Sequence, residues 1–440
     1  MPQHPTAALS RRSLLMAGGA VATTFLLAGC GTNLQSTSAG SASKAPLVYW
    51  GKWAAGTPQA KLFNSIIKDY AAKTGQKVTV QWIGNGEETQ VKNAIATGSG
   101  PDIYDSSIDH TAEFRAAGAL GDMSAIFDTE IPGEGKTIKQ VLPKSVLKAI
   151  SDKKGYGFVP HSVFSEGLWY DAAVDTDFGT NPPATFDDFL DHAKQSKAST
   201  GKQPIALDGT VNSYNAFWIF QLMLATGGPG TLASLSTSAS AWDKPAVRKA
   251  AEELQKLVAD DLFQKDYMAT KYPDAQNAWA RGEQLYNLNG TWLASETASS
   301  RSSTQKPKVM AFPPVTAGKP SVVTVGALGW AANPNSKKQA QIAQFLAFAM
   351  QKKYGDRIAT DADNIPARAD SPAPAALAGL KKSIGSTTTI SLDFDGVATT
   401  AAQWWNDVFL PLDDKFIGGS LNVDQFLAQG KAQTAALLSK

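Results

Sequence analysis

The order of apolar and polar positions predicts alternating strands and helices from about residue 46 onward. "PLVYWGKW" opens with apolar, β-branched and aromatic residues and predicts a buried strand. In "TPQAKLFNSIIKDYAAKTG" the residues Leu62, Phe63, Ile66, Ile67 and Tyr70 recur at helical spacing. Thr57 is placed to cap that helix, Pro58 to open it and Gly75 to end it. "KVTVQWI" alternates, with Val78, Val80 and Trp82 on one face and Lys77, Thr79 and Gln81 on the other. A helix from about Glu87 to Thr97 and a short strand in "GPDIYDSS" follow. This β-α-β-α-β order with short loops implies parallel strands and right-handed crossovers.

The pattern returns later. "PATFDDFLDHAKQS" carries a Thr185 and Asp188 capping box. "DKPAVRKAAEELQKLVADD" predicts a helix capped by Asp243, with Val247, Ala250, Leu254 and Leu257 on one face. "SVVTVGALGWAA" reads as one strand, "SKKQAQIAQFLAFAMQKK" as one long amphipathic helix, and "NVDQFLAQGKAQTAALLSK" as a closing helix. The fold class is α/β.

The N-terminal stretch "SRRSLLMAGGAVATTFLLAGCG" breaks this alternation. Arg11 and Arg12 precede a run from Leu14 to Gly29 without a charge, shorter than the ~20 residues of a membrane span. The arginine pair resembles a twin-arginine signal, with general secretion as the alternative, and Leu27-Ala28-Gly29-Cys30 resembles a bacterial lipobox. Residues 1–29 are therefore expected to be a signal peptide and Cys30 to be lipidated. The stretch through residue 45, rich in Ser, Gly, Thr and Ala, reads as a flexible tether. Export and a lipid anchor on the outer face of the cytoplasmic membrane follow from this reading.

Composition narrows the classes. A formal charge of +2 without a basic stripe argues against a nucleic-acid partner, and the single cysteine leaves the mature chain no disulfide. The length beyond the tether suggests two domains at ~100–200 residues each. Nucleophile elbows, phosphate loops, HExxH and paired zinc ligands are missing from the sequence, so no catalytic residue, cofactor or metal is expected.

An ordered set of segments resembles the bacterial extracellular solute-binding proteins of family 1, the group of maltose-binding protein. The segments are "GSGPDIYDSS", "FRAAGALGDMS", "KKGYGFVPHSVFSEGLWYD", "PPATFDDFL", "WARGEQLYNLNGTWLAS", "NPNSKKQAQIAQFLAFAM" and "NIPARAD". "LWYDAAVDTDFG" departs from the family's usual Tyr-Asn-Lys-Asp. The resemblance implies a periplasmic-binding-protein-like type II fold, with two α/β lobes joined by hinge strands and a ligand cleft between them. It places lobe one at 46–162 plus 317–366 and lobe two at 163–316 plus 367–440. It implies a monomeric receptor for a small solute, a carbohydrate, that docks on the permease subunits of an ABC importer and meets the membrane through its lipid alone. A non-sugar solute (a glycerophosphodiester or polyol) and a lipid-anchored carbohydrate-active enzyme are the alternatives.

A saccharide site needs aromatic faces and side chains that bond hydroxyls. The chain has eleven tryptophans, several of them at strand ends. The resemblance implies Trp292 in "NLNGTW" as a stacking ring, with Asn289 as a contact or a turn residue. It places Asp109, Trp53 and Glu88 on loops facing the cleft; Asp109 also suits a helix cap, and Glu88 also complements a helix dipole. Trp218 matches an aromatic platform, with Asn215 beside it. Trp330 follows two glycines on a strand, and Arg368 in "IPAR" makes a bidentate contact or sits on the surface. Trp404 and Trp405 point about 100° apart, so at most one faces the cleft, and Trp404 is the candidate.

Overall fold

Leu47–Gly51 pairs in parallel with Val78–Trp82 on one side and with Ile103–Ser107 on the other. These three strands form half of a six-stranded sheet in a computed structural model that describes residues 45–439 except 85 and 388. The signal peptide, Cys30 and the tether ahead of Ala45 lie outside the described residues. The helix Pro58–Thr74 connects the first two strands; Thr57 accepts from the Ala60 N–H, and Gly75 ends the helix at φ 75°, where a side chain would be strained. Leu62, Phe63, Ile66 and Tyr70 point into the core beneath the sheet.

The sheet is completed by Gly326–Ala332 and Val159–Phe164, both antiparallel to their neighbours, and by Ile365–Pro366 at the edge. A smaller sheet of four strands runs in the order Pro307–Met310, Glu166–Asp171, Tyr286–Gly290, Ile205–Ala206. Leu168, Tyr170, Tyr286 and Leu288 face a second core with the helices Asn212–Gly227 and Pro245–Ala259, while Trp169 points the other way, against Trp279.

The sheets are joined where several crossings touch. The chain leaves the larger sheet at Phe164 and enters the smaller one at Glu166. Ser165 Oγ lies 2.9 Å from Thr324 Oγ1, and the Glu166 N–H donates to the same oxygen at 3.1 Å. Val323–Thr324 pairs in turn with Ile390–Ser391. Gly326 has to be glycine, because a Cβ there would stand 1.9 Å from the Phe164 ring.

Several local expectations change. The predicted strand over "SVVTVGALGWAA" is two strands interrupted at Val325, where the chain passes from the crossing into the larger sheet. The long helix over "SKKQAQIAQFLAFAMQKK" ends at Ala349, and a second begins at Lys352. Asp243 does not cap the helix Pro245–Ala259; it closes a short 3-10 turn and pairs with Lys431 at 2.6 Å. The Thr185 and Asp188 capping box forms as expected. The segment 367–386, assigned above to lobe two, bonds both sheets' surroundings: Arg368 pairs with Glu134 and Ser145 Oγ donates to the Ile384 carbonyl at 2.7 Å, while the Val309 N–H and Lys308 Nζ of the smaller sheet donate to the Ala376 and Ala375 carbonyls at 3.2 and 2.7 Å. Among the described residues no helix is long and apolar enough to cross a membrane.

Candidate ligand cleft

The carboxyl ends of the parallel strands gather one group of polar side chains. Gly51 is followed by Lys52 and Trp53, Trp82 by the turn into the helix Glu87–Ala96, and Ser107 directly by the helix Ile108–Ala116. Lys52 Nζ reaches Glu88 Oε1 at 3.3 Å, and His110 Nε2 lies 3.7 Å from the same oxygen. Burial works to raise the Glu88 pKa, but a backbone N–H, Lys52 and His110 outweigh it and hold it below the ordinary value. Asp105 accepts from Tyr49 Oη and from the Lys52 N–H, both at 2.8 Å, and burial still pushes its carboxyl up to about 7. Glu87 is fully buried, neither of its oxygens has a hydrogen-bond partner among the described residues, and burial pushes it up to about 9. Trp53 is half-buried, with its Nε1 likewise unpartnered.

Asp109 keeps an exposed surface, yet protein atoms on both sides displace bulk water from it, and that desolvation raises its carboxyl against the pull of His110 and Lys52. Its backbone carbonyl accepts from Thr399 Oγ1 at 3.3 Å. Asp109, Leu392, Gly396 and Thr399 line a cavity of about 180 Å³ between the helix Ile108–Ala116 and the turn Asp393–Gly396. That turn holds Phe394, Asp395 and Gly396 at φ 46°, 52° and 76°. Two consecutive non-glycine residues in the left-handed region are costly, and such strain collects at ligand clamps and switches. Asp395 secures the turn by accepting from the Gly230 and Leu232 N–H groups at 2.9 and 3.0 Å.

On the smaller sheet, Tyr286–Gly290 is followed two residues later by Trp292. Trp292 is half-buried, meets Phe164 edge-on at 6.3 Å and lies over Gly290, where a Cβ would stand 2.2 Å from its ring. Asn289 Oδ1 accepts from the Gly290 N–H at 2.8 Å, so it braces this turn. Tyr214 stands beside Trp292 and meets Tyr272 edge-on at 6.3 Å; Tyr272 is exposed and donates to Glu296.

The structure thus brings Trp53, Glu88 and Asp109 together on one wall and Trp292 with Asn289 at the smaller sheet. The remaining candidates are core or structural. Trp218 is fully buried against Phe189, Phe263 and Phe312, in a helix whose residues from Asn215 to Leu224 are all buried; Tyr214, one turn earlier near the helix start, is the half-buried aromatic there. Asn215 is buried and donates to Gly209 O and Asp414 Oδ1. Trp330 is wedged between Phe63 and His161. Arg368 is buried with Glu134, Asp370 and the Met350 carbonyl as partners. Trp404 donates to Thr434 inside the second core, and Trp405 is buried against Phe394 and Phe409, so neither lies open to a cleft. Sequence reasoning missed Tyr214, Tyr272, Glu166 and Asp393. A carboxyl directly ahead of the apolar residues Gly167 to Tyr170 in "SEGLWYD" was the available signal for Glu166. No group of three His, Cys, Asp or Glu among the described residues is placed to hold a metal ion.

Two α/β lobes joined by adjacent crossings, with polar and aromatic side chains at the strand ends, define a hinged binding protein of type II periplasmic architecture. The profile of the family described as bacterial extracellular solute-binding protein matches residues 54–356, and the chain belongs to that family. It is 25% identical over 366 residues to a probable sugar-binding periplasmic protein from Mesorhizobium japonicum, covering 81% of this chain and 82% of that one. It is also 25% identical over 354 residues to a multiple sugar-binding protein from Streptococcus mutans, covering 76% and 78%. The crystal structure of a cyclic α-maltosyl-1,6-maltose binding protein from Arthrobacter globiformis superimposes with a TM-score of 0.69 at 17% identity, over 90% of this chain and 99% of that one.

Proposed function

We propose that the protein is the extracytoplasmic receptor of an ABC importer and captures a sugar or oligosaccharide by closing its two lobes. The observation that carries this reading is the half-buried Trp292, held over Gly290 at the end of a strand and beside the Phe164 crossing, where a pyranose face can stack. Trp53, Glu88 and Asp109 on the other lobe supply the hydrogen-bonding wall. Membership of a solute-binding family and two curated relatives named for sugars support the same class.

A phosphodiester ligand needs free cations, and both Lys52, beside the cleft wall, and Arg368 are engaged: Lys52 with Glu88, Arg368 with Glu134 and Asp370. The receptor acts without catalysis, as a monomer. Cys30 carries its lipid, and the lobes are 46–164 plus 317–366, and 165–316 plus the chain after 386, with 367–386 strapped across them.

The test is tryptophan fluorescence and melting temperature against mono- and oligosaccharides, polyols and glycerophosphodiesters, with turnover followed in parallel. A ligand at a hundred times its Kd adds about 2.7 kcal/mol. A saturable shift with one saccharide class and no product is the expected result. Shifts confined to phosphodiesters, or consumption of a glycan, would replace the reading. Cys30→Ser is expected to move the protein from the membrane fraction to the medium.

A further inference from the structure

The carboxyl end of the smaller sheet carries more aromatic surface than a single stacking ring. Its parallel strands Ile205–Ala206 and Tyr286–Gly290 end side by side. Trp292 follows the second strand, and the first runs into the helix Asn212–Gly227, with Tyr214 in its first turn. Both rings are half-buried and pack on the second core. Tyr272 stands edge-on to Tyr214 at 6.3 Å and is 48% exposed. No other aromatic side chain among the described residues is as open to solvent.

Hydrogen bonds fix Tyr272 in that position. The Ala275 and Gln276 N–H groups, in the first turn of the helix Asp274–Ala280, donate to Asp208 at 2.8 and 3.2 Å. The loop carrying Tyr272 is therefore tied to the segment that leaves Ile205–Ala206. Tyr272 Oη donates to Glu296 Oε2 at 3.2 Å, and Gln276 Nε2 donates to the same oxygen at 3.0 Å. Glu296 lies one helical turn after Trp292, and its N–H donates to the Trp292 carbonyl at 3.0 Å. Trp292, Tyr214 and Tyr272 thus belong to one braced surface that runs from the Phe164 crossing out to solvent. A ring already held by a neighbouring ring and by its hydroxyl loses little further freedom on binding. Glu296 is exposed beside it, so an aromatic face and a carboxylate that accepts from hydroxyls stand together, the pairing a sugar unit needs.

We propose that Tyr272, with Tyr214 and Glu296, forms an outer subsite for a further sugar unit, so that the ligand is an oligosaccharide with one unit on Trp292 and another on Tyr272. This rests on the receptor reading above.

The test is calorimetric titration of the purified full chain with glucose, galactose and their α-1,4, β-1,4 and α-1,6 oligomers of two to four units. The expected result is a rise in affinity of about tenfold from the single unit to the oligomer, the size of one added stacking contact. Tyr272→Ala should bring the oligomer down to the affinity of the single unit. Tyr272→Phe keeps the ring and loses the bond to Glu296, and should retain most of the gain. The side chain is exposed, so both variants should melt with the native protein. Oligomers that bind no tighter than the single unit, or a Tyr272→Ala variant that keeps the full gain, would overturn the outer subsite and leave the receptor reading standing. No binding by any member of the panel overturns both.

Discussion

Thr399 donates its hydroxyl to the backbone carbonyl of Asp109 across 290 positions of sequence, and thereby ties the helix Ile108–Ala116 to the segment after the turn Asp393–Gly396. One side of the cleft is therefore already bridged. Thr399→Val keeps the shape and removes the donor. An exposed hydrogen bond contributes about 0.5 kcal/mol, so ligand affinity should fall roughly twofold with an unchanged melting temperature. Unchanged affinity in titration would show that the bridge is absent from the closed form.

Trp292 and Trp218 separate binding from folding. Trp292→Ala removes a half-buried ring from the strand end, and the expected loss is about 10- to 100-fold in saccharide affinity with a small change in melting temperature. Trp218→Ala empties a fully buried site and should cost about 3–5 kcal/mol of stability. Denaturant unfolding and ligand titration on both variants check the pair. A Trp292 variant that binds normally would remove the stacking assignment.

The alternation of periods made the fold legible. Thr57, Pro58 and Gly75 take up their predicted cap positions, and "KVTVQWI" and "GPDIYDSS" form the strands expected of them. The site was less legible, because composition marks aromatics and carboxyls without saying which way they face. Trp218 and Tyr214 share one helix, and only the packing of that helix on the second core decides that Trp218 is enclosed. Arg368 read as a ligand contact because its partner Glu134 lies 234 positions away. Asp393 depends on a left-handed turn formed by Phe394 and Asp395, residues that carry no such local preference beyond the aspartate itself.

Arg368 predicts a stability effect without a binding effect. Its guanidinium is 2% exposed, and it donates to Glu134, Asp370 and the Met350 carbonyl. Arg368→Met should cost about 2–4 kcal/mol, toward the lower end because both acidic partners keep some contact with water. Affinity measured well below the melting temperature should stay within about twofold, a difference of roughly 0.4 kcal/mol. A large affinity loss in a folded variant would return Arg368 to the cleft.

Glu87 sets a dependence of stability on pH. Burial raises its folded-state value from 4.5 to about 9, with Asp105 and Glu88 adding to the rise and Lys52 opposing it. The folded protein then holds a proton that the unfolded chain releases. This contribution is least unfavourable below about pH 4.5, and stability declines as pH rises toward 9. At pH 7 the penalty is about 3 kcal/mol, from the distance between pH 7 and the unfolded value. Glu87→Gln removes the titration and should raise the melting temperature clearly at pH 8 and little at pH 5. Parallel profiles for the two proteins would mean that Glu87 titrates normally. The same variant distinguishes two roles for the group at neutral pH. A protonated Glu87 is both a donor and an acceptor, as is the amide that replaces it. Retained affinity with a flattened pH profile is the expected outcome, and lost affinity would mean that the ligand requires the carboxyl itself.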